Sequence, residues 1–409
     1  DDAAEATTVY AAAAEATTVC PAAAETPTVY AAADGRENMA RVAVLHNTLD
    51  FQGGADVVCL STCAALQRDH TVTLFTISET DPGDLAARFG IDLDTAALDV
   101  RMPTGAAPAA RSLSAGAPVI GPQLALRSVL LRRAVRGELG AFALTMSTAN
   151  EVSLPTPSIQ YVHYPQFNTH RLPDGDGGAL DRVWSRLCGP RPDNPDDGTT
   201  LLANSGWTAD VVNDVYGVRP SVVHPPVDPI EGRVAWDERR DGIVVVGRLA
   251  PDKRVGDAIR IVDGVRERGY DLSLHVIGAA PRAYRRYARQ IESMAAERPY
   301  VTVERDASRA RLEELLCTRK YGLNCKPEEH FGMSVAEYVA SGMVAFAPDT
   351  GGQREILDER EDRLFGSVPE AIELVAAAAD ADDPPTLPPD RFASGRFRRA
   401  IRDAVARAL

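Results

Sequence analysis

One order of elements occurs twice in this chain and limits what it can fold into: an apolar strand, a glycine-bearing turn, a helix and a second apolar strand. RVAVLHNTL at 41–49 is a β-branched run of the kind that makes a buried parallel strand, and Gly53-Gly54 follow it. ADVVCLSTCAALQRD at 55–69 then reads as a helix, and TVTLFTI at 71–77 as the next strand. The order restarts with DGIVVVGRL at 241–249, AIRIVDGVRER at 258–268 and LSLHVIG at 272–278. A right-handed crossover between parallel strands accommodates this order, with the turns at the carboxyl ends of the strands, where ligands bind. The proline-rich SVVHPPVDP at 221–229 separates the two openings, because proline continues neither a helix nor a central strand. The expected fold class is therefore α/β, with two Rossmann-like domains facing each other across a cleft.

The expected domains are 39–224 and 225–395, with a C-terminal helix at 396–409. Residues 1–38 repeat AAEATTVY, AAEATTVC and AAETPTVY, ending at Tyr10, Cys20 and Tyr30. These units hold too few large apolar side chains for a core, so a disordered extension is expected there.

The remaining 371 positions of the 409 carry most of an acidic balance, 44 Lys and Arg against 58 Asp and Glu, a net charge of −14. Such a chain is a poor general ligand for nucleic-acid phosphates. No apolar run reaches the roughly 20 residues that cross a bilayer, and a basic, then apolar leader is absent from the start of the sequence, so the expected location is cytoplasmic. The six cysteines form no C-x-x-C pair and have no histidines at zinc-finger spacing, which argues against a disulfide framework or a structural zinc.

KPEEHFGMSVAEYVASGMVAFAPDTGGQREIL, 326–357, is the most specific segment. Glu329 and Glu337 lie eight positions apart. A helix starting near Phe331 or Gly332 would turn its unpaired N–H groups and positive dipole end toward a phosphate or sugar oxygen. Glu337, farther along, can accept from two vicinal hydroxyls. Gly247-Arg248-Leu249, followed by Asp252-Lys253-Arg254, places two fixed cations after a strand, where they can neutralise a diphosphate leaving group. Lysine occurs only three times, at Lys253, Lys320 and Lys326, so its use in that loop invites a reason. Gly53 and Gly54 let backbone approach a ligand, and the segment does not spell G-x-G-x-x-G, which argues against a nicotinamide or flavin site. His163 stands at the end of the apolar SIQYV run, while Ser205 reads as a helix cap.

Three D-x-D triplets, Asp92–Asp94, Asp174–Asp176 and Asp380–Asp382, follow no convincing strand, and no metal is expected. Two arginine-bearing segments, 124–139 and 281–290, remain. The first suits an anionic membrane surface, and the same spacing also suits an amphipathic helix packed on a sheet with a solvated basic edge.

EHFGMSVAE followed by ASGMVAFAPDTGGQREIL resembles the signature of the family-four retaining glycosyltransferases, which have the two-domain GT-B fold. The resemblance implies that Glu329 and the backbone of Phe331, Gly332 and Met333 face a donor sugar, and that Glu337 faces the ribose. GRL…DKR is similar to the family's phosphate-binding pair, which implies that role for Arg248 and Lys253. Gly53-Gly54 resembles its glycine loop, usually GGxE, with Asp56 here in place of Glu. YVHYP resembles an element whose histidine, here His163, approaches the donor sugar from the first domain. Tyr338 departs from the usual EAMA.

The EHFG and EY wording is similar to the branch that builds lipid-linked oligosaccharides, such as the α-1,2-mannosyltransferases of polyprenyl-pyrophosphate glycans. The implied activity is metal-independent, retaining hexosyl transfer from a nucleoside diphosphate sugar to a glycan or lipid-linked acceptor, with His163 and Glu329 catalytic. No cofactor besides the donor is implied, no nucleic-acid partner is expected, and a lipid-linked acceptor implies peripheral contact with the inner face of the cell membrane. A nucleotide-sugar 2-epimerase and a catalytically silent nucleotide-sugar binder are the alternatives. A pyridoxal-phosphate phosphorylase is disfavoured by the scarcity of lysine for a Schiff base.

Overall fold

The computed structural model describes residues 39–103, 112, 123–155, 157–172, 179–190, 198–280 and 284–409. The N-terminal repeat, Asp174–Asp176 and residues 281–283 lie outside them. In the first lobe β1 (Arg41–His46), β2 (Thr71–Thr76), β3 (Asp99–Arg101), β4 (Leu144–Ser147), β5 (Ser158–Val162), β6 (Thr199–Ala203) and β7 (Ser221–Val222) form a parallel sheet in the order β3-β2-β1-β4-β5-β6-β7. The second lobe pairs β8 (Arg240–Val246), β9 (Ser273–Gly278), β10 (Val301–Arg305), β11 (Arg319–Leu323), β12 (Val344–Pro348) and β13 (Leu364–Phe365) in the order β10-β9-β8-β11-β12-β13, again parallel. This is the α/β arrangement that the doubled opening predicts.

Side chains on a strand alternate between faces, and the central strands are apolar on both. Val42 and Val44 of β1 pack with Val58 and Leu60 of the helix Gly54–Leu66, whereas Ala43 and Leu45 pack with Val129, Leu131 and Val135 of the helix Leu124–Val135. In β8, Ile243 and Val245 meet the helix Val255–Glu267, and Val244 meets the helix Met333–Ala340 from the other side.

The helix Leu124–Val135 is thus packed on the sheet, with Arg127 buried and Arg133 and Arg136 on a solvated edge. Among the described residues no helix is long and apolar enough to cross a membrane. The five described cysteines are buried free thiols.

Strand ends differ from the sequence expectation by a few residues. The strand expected over 41–49 stops at His46, where polar Asn47-Thr48 leave the sheet, whereas β8 ends at Val246 as expected, ahead of the left-handed Gly247. The C-terminal helix, Ser394–Ala408, returns to the first lobe: Phe397, Ile401, Ala404 and Val405 join the core of β1 and the helix Gly54–Leu66. In both sheets strand order reverses beside the first strand of the lobe, between β1 and β4 and between β8 and β11. Crevices at such reversals are where open parallel sheets bind ligands.

Candidate active site

Two loops leave the carboxyl ends of β8 and β11 and meet. After β8 comes 247–253; after β11 comes 324–332, which leads into the helix Met333–Ala340. The second loop is tied to the one following β12. Gln353, fully buried, donates to the carbonyls of Lys326, Pro348 and Thr350 and accepts from Asn324. Gly352 N–H donates to the Glu329 carbonyl at 2.7 Å. Gly351, at φ +75°, has no room for a Cβ, which would strike the Glu329 backbone. These ties fix the Glu329 main chain, and with it the direction of its side chain.

The Glu329 carboxylate is 15% exposed and lies between two lysines, Lys253 Nζ at 2.7 Å from Oε2 and Lys326 Nζ at 3.2 Å from Oε1. Burial by itself would raise its pKa; Lys253 and Lys326 override burial and hold it below the usual glutamate range. Glu329 is therefore an ionised carboxylate at neutral pH. Two ammonium groups face this one carboxylate in a chain whose net charge is −14. Among the chain's three lysines, two converge on this one group.

The sequence-selected residues fare unequally. Lys253 meets Glu329; Arg248 is half-exposed and pairs with Asp252 in the same loop. Gly332, at φ +113°, caps the helix Met333–Ala340. The Phe331 side chain is buried in the second-lobe core against His224 and Phe392, so only its backbone is available to a ligand. Glu337 is held by Arg309 at 2.8 Å, an ion pair that a ribose would have to displace. Tyr338, the departure from the familiar spelling, accepts from Val246 N–H at 2.7 Å and donates to the Leu323 carbonyl, joining the helix to β8 and β11.

Across the cleft, Gly53 caps the helix Gly54–Leu66 and a Cβ on Gly54 would lie 2.9 Å from Met333 Cγ, so the glycine loop touches the second lobe. Asp56 is buried. Its Oδ2 accepts from Gly53 N–H at 2.8 Å and its Oδ1 pairs with His46 Nε2 at 2.9 Å, so it holds the loop from behind. Burial opposes charge on His46, but Cys59 and Asp56 prevail and push its pKa up to about 10.

His163 lies at the end of β5, and its Nε2–H donates to the Thr148 carbonyl at 3.1 Å, which leaves Nδ1 as an acceptor. Burial drives its pKa down to about 4. It is a neutral acceptor, unable to serve as an acid at pH 7. Asn150 holds the backbone N–H groups of His163 and Tyr164.

The lobes are clasped beside this site. Ser205 caps the helix Gly206–Tyr216 and donates to the His330 carbonyl at 2.5 Å; Glu355 accepts from Gly206 N–H at 3.0 and 3.1 Å. Tyr164 and Trp207 stack with His330, at 4.3 and 6.0 Å between ring centroids. Among the described residues no cluster of His, Cys, Asp or Glu could hold a metal. Asp94 caps a turn and Asp382 pairs with Lys320.

Lys326, His46, Gln353 and Arg309 were not singled out from the sequence, and Asp56 was noted there only as a departure in the glycine loop. Lysine scarcity, which drew attention to Lys253, applies equally to Lys326, three residues before Glu329.

Comparison with known proteins adds three findings. Residues 228–384 match the family model for glycosyl transferases group 1. GDP-Man:Man(3)GlcNAc(2)-PP-Dol alpha-1,2-mannosyltransferases are similar, that of Eremothecium gossypii at 26% identity over 37% of this chain and 28% of its own length. The Dictyostelium discoideum protein is 25% identical over 40% of this chain and 37% of its own. The chain thus spans about a third of the length of these curated relatives. Two solved structures share the fold: WaaG, a glycosyltransferase involved in lipopolysaccharide biosynthesis, at TM-score 0.61 and 14% identity over 90% of this chain and 95% of its own. Anabaena HepE in complex with UDP and glucose has TM-score 0.59 and 12% identity, over 90% and 100%. The GT-B arrangement expected from the sequence is therefore the fold of the chain, and its second lobe resembles the glycosyltransferases named above.

Proposed function

We infer that this chain, whose residues 228–384 match the glycosyl transferases group 1, is a glycosyltransferase that moves a hexose, with retention, from a nucleoside diphosphate sugar to a glycan carried on a lipid. The contact of Lys253 with Glu329 at the β8/β11 reversal, opposite the glycine loop, carries the reading. A diphosphate entering there meets Lys253, Arg248 and the amino end of the helix Met333–Ala340, which together stabilise the charge that grows on it as the glycosidic bond breaks. Glu337, released from Arg309, accepts from the ribose hydroxyls. Glu329 stays ionised beside the sugar, where it accepts hydroxyl hydrogens and favours developing positive charge at the reacting carbon. Neutral His163 offers Nδ1 as an acceptor on the opposite side. The clasp of Ser205, Gly206, His330 and Glu355 keeps the lobes together and water out, which limits hydrolysis of the donor.

The mannosyltransferase relatives support a GDP-mannose donor and a polyprenyl-pyrophosphate-linked acceptor; peripheral contact with the inner face of the cell membrane is part of the proposal. The experiment is a screen of nucleoside diphosphate sugars by thermal shift, then labelled transfer to lipid-linked acceptors. Lys253→Ala and Arg248→Ala are expected to weaken donor affinity and turnover together. Glu329→Gln is expected to lower turnover roughly 100-fold with donor affinity retained. Wild-type turnover in all three variants would remove these assignments, and product formed from donor alone would favour the 2-epimerase.

A further inference from the structure

Lys253 has two claims on it. In the structure it pairs with Glu329 Oε2, yet the reading above, on which this inference rests, gives it to the donor diphosphate. A carboxylate this buried does not tolerate losing its counter-charge: it either protonates or keeps another partner. Lys326 is that partner. Its Nζ contacts the other oxygen, Oε1, at 3.2 Å, and its side chain is 19% exposed. Its main chain is fixed at both ends, the N–H on Asn324 Oδ1 and the carbonyl on buried Gln353.

The remaining neighbours cannot replace it. His330 is kept neutral, its pKa driven to about 4 by burial and by Lys326, and Glu328 carries the wrong sign. We propose that Lys326 is a positioning residue, the resident counter-ion that holds Glu329 ionised and in place while Lys253 transfers from Glu329 to the donor's diphosphate. The two lysines divide the work: one moves with the nucleotide, and the other stays with the carboxylate.

If Lys326 is removed, donor binding forces Glu329 to take up a proton. Titration calorimetry with UDP and GDP, in buffers of different ionisation enthalpy at pH 6.5, reads this directly and needs no turnover. Lys326→Met is expected to take up a measurable fraction of a proton more per nucleotide than wild type, because burial without a counter-charge raises the pKa of the Glu329 carboxyl. Lys326→Arg, which keeps the charge, is expected to restore the wild-type value, and Lys326→Met/Glu329→Gln to lose the extra uptake because no titrating carboxyl remains. Should Lys326→Met fold poorly, Lys326→Gln serves the same comparison.

If wild type binds nucleotide and the Lys326→Met and Lys326→Gln variants take up no additional proton, Lys326 is a bystander and the inference is overturned. If wild type binds neither UDP nor GDP, the glycosyltransferase reading falls and the inference falls with it. Where transfer is measurable, the acid limb of kcat, which reports the donor complex, is expected to move up by about 1 pH unit or more in Lys326→Met. A uniform loss of rate with an unmoved limb would indicate a merely structural lysine.

Discussion

Glu151 lies behind the loop that carries His163 and was not visible as a special residue in the sequence, where it is one acid among 58 Asp and Glu. It is buried; its Oε1 accepts from Gln166 N–H, Phe167 N–H and Tyr216 O–H, each at 2.8 Å, while Oε2 has no hydrogen-bond partner among the described residues. Burial pushes its pKa up to about 7. A carboxyl raised in the folded state contributes stability below its unfolded pKa and loses it as pH rises through 7. Glu151→Gln keeps an accepting oxygen and removes the titration, so it is expected to be about 1–3 kcal/mol more stable relative to wild type at pH 8 than at pH 5 in urea unfolding; parallel curves would refute it. The His46–Asp56 pair behaves alike on its own range. With His46 raised to about 10, its stabilisation is complete below pH 6.5 and fades as pH rises through 10, and Asp56→Asn should cost about 1–3 kcal/mol at pH 6 and less at pH 10. Asp56 was legible only as an unusual spelling of the glycine loop. That it faces inward, toward a histidine ten residues earlier, follows from the packing of β1 on its helix.

At the scale of elements, the helix Met333–Ala340 shows how sequence pattern and packing divide the information. Its start, and the spacing of its Glu337 from Glu329 in the preceding loop, were readable from the sequence. The role of Tyr338 was not, because nothing in the spelling shows that a tyrosine there reaches Val246 N–H and the Leu323 carbonyl. Gly322 of β11 makes room for its ring, which a Cβ at that position would strike. Tyr338→Phe is expected to cost about 1–3 kcal/mol by orphaning a strand-end N–H, and Gly322→Ala to cost more; thermal unfolding of both variants measures the order. The glycine loop gives a test between lobes. Gly54→Ala puts a methyl 2.9 Å from Met333 Cγ and should raise KM for the donor, and Met333→Ala should restore it in the double variant. Independent effects in that cycle would mean that the two elements do not meet in the working enzyme.

For the whole molecule, the clasp between lobes is the feature that neither half of the sequence contains. Glu355 binds the amino end of the helix Gly206–Tyr216, and His330 enters the stack with Tyr164 and Trp207. His330 and His163, both depressed to about 4, are neutral in the folded chain, so their contribution is present above pH 6.5 and is lost as pH falls toward 4. Glu355→Ala is expected to weaken closure by about 1 kcal/mol and to enlarge the radius of gyration in small-angle scattering, more so at pH 5; identical profiles would rule out a clasp. What the sequence determined by itself was local or periodic: two strand–turn–helix–strand openings, a proline break, helix starts, and the charged residues that follow strands. Those signals lie within a few turns of the chain and survive without a partner. Only tertiary structure decided which groups share a counter-charge, that Phe331 belongs to the core, that Lys326 joins Lys253 on Glu329, and that the last helix returns to the first lobe. Such pairings depend on which faces pack together, and an amphipathic helix or a lone lysine specifies that it will be covered or compensated without specifying by what.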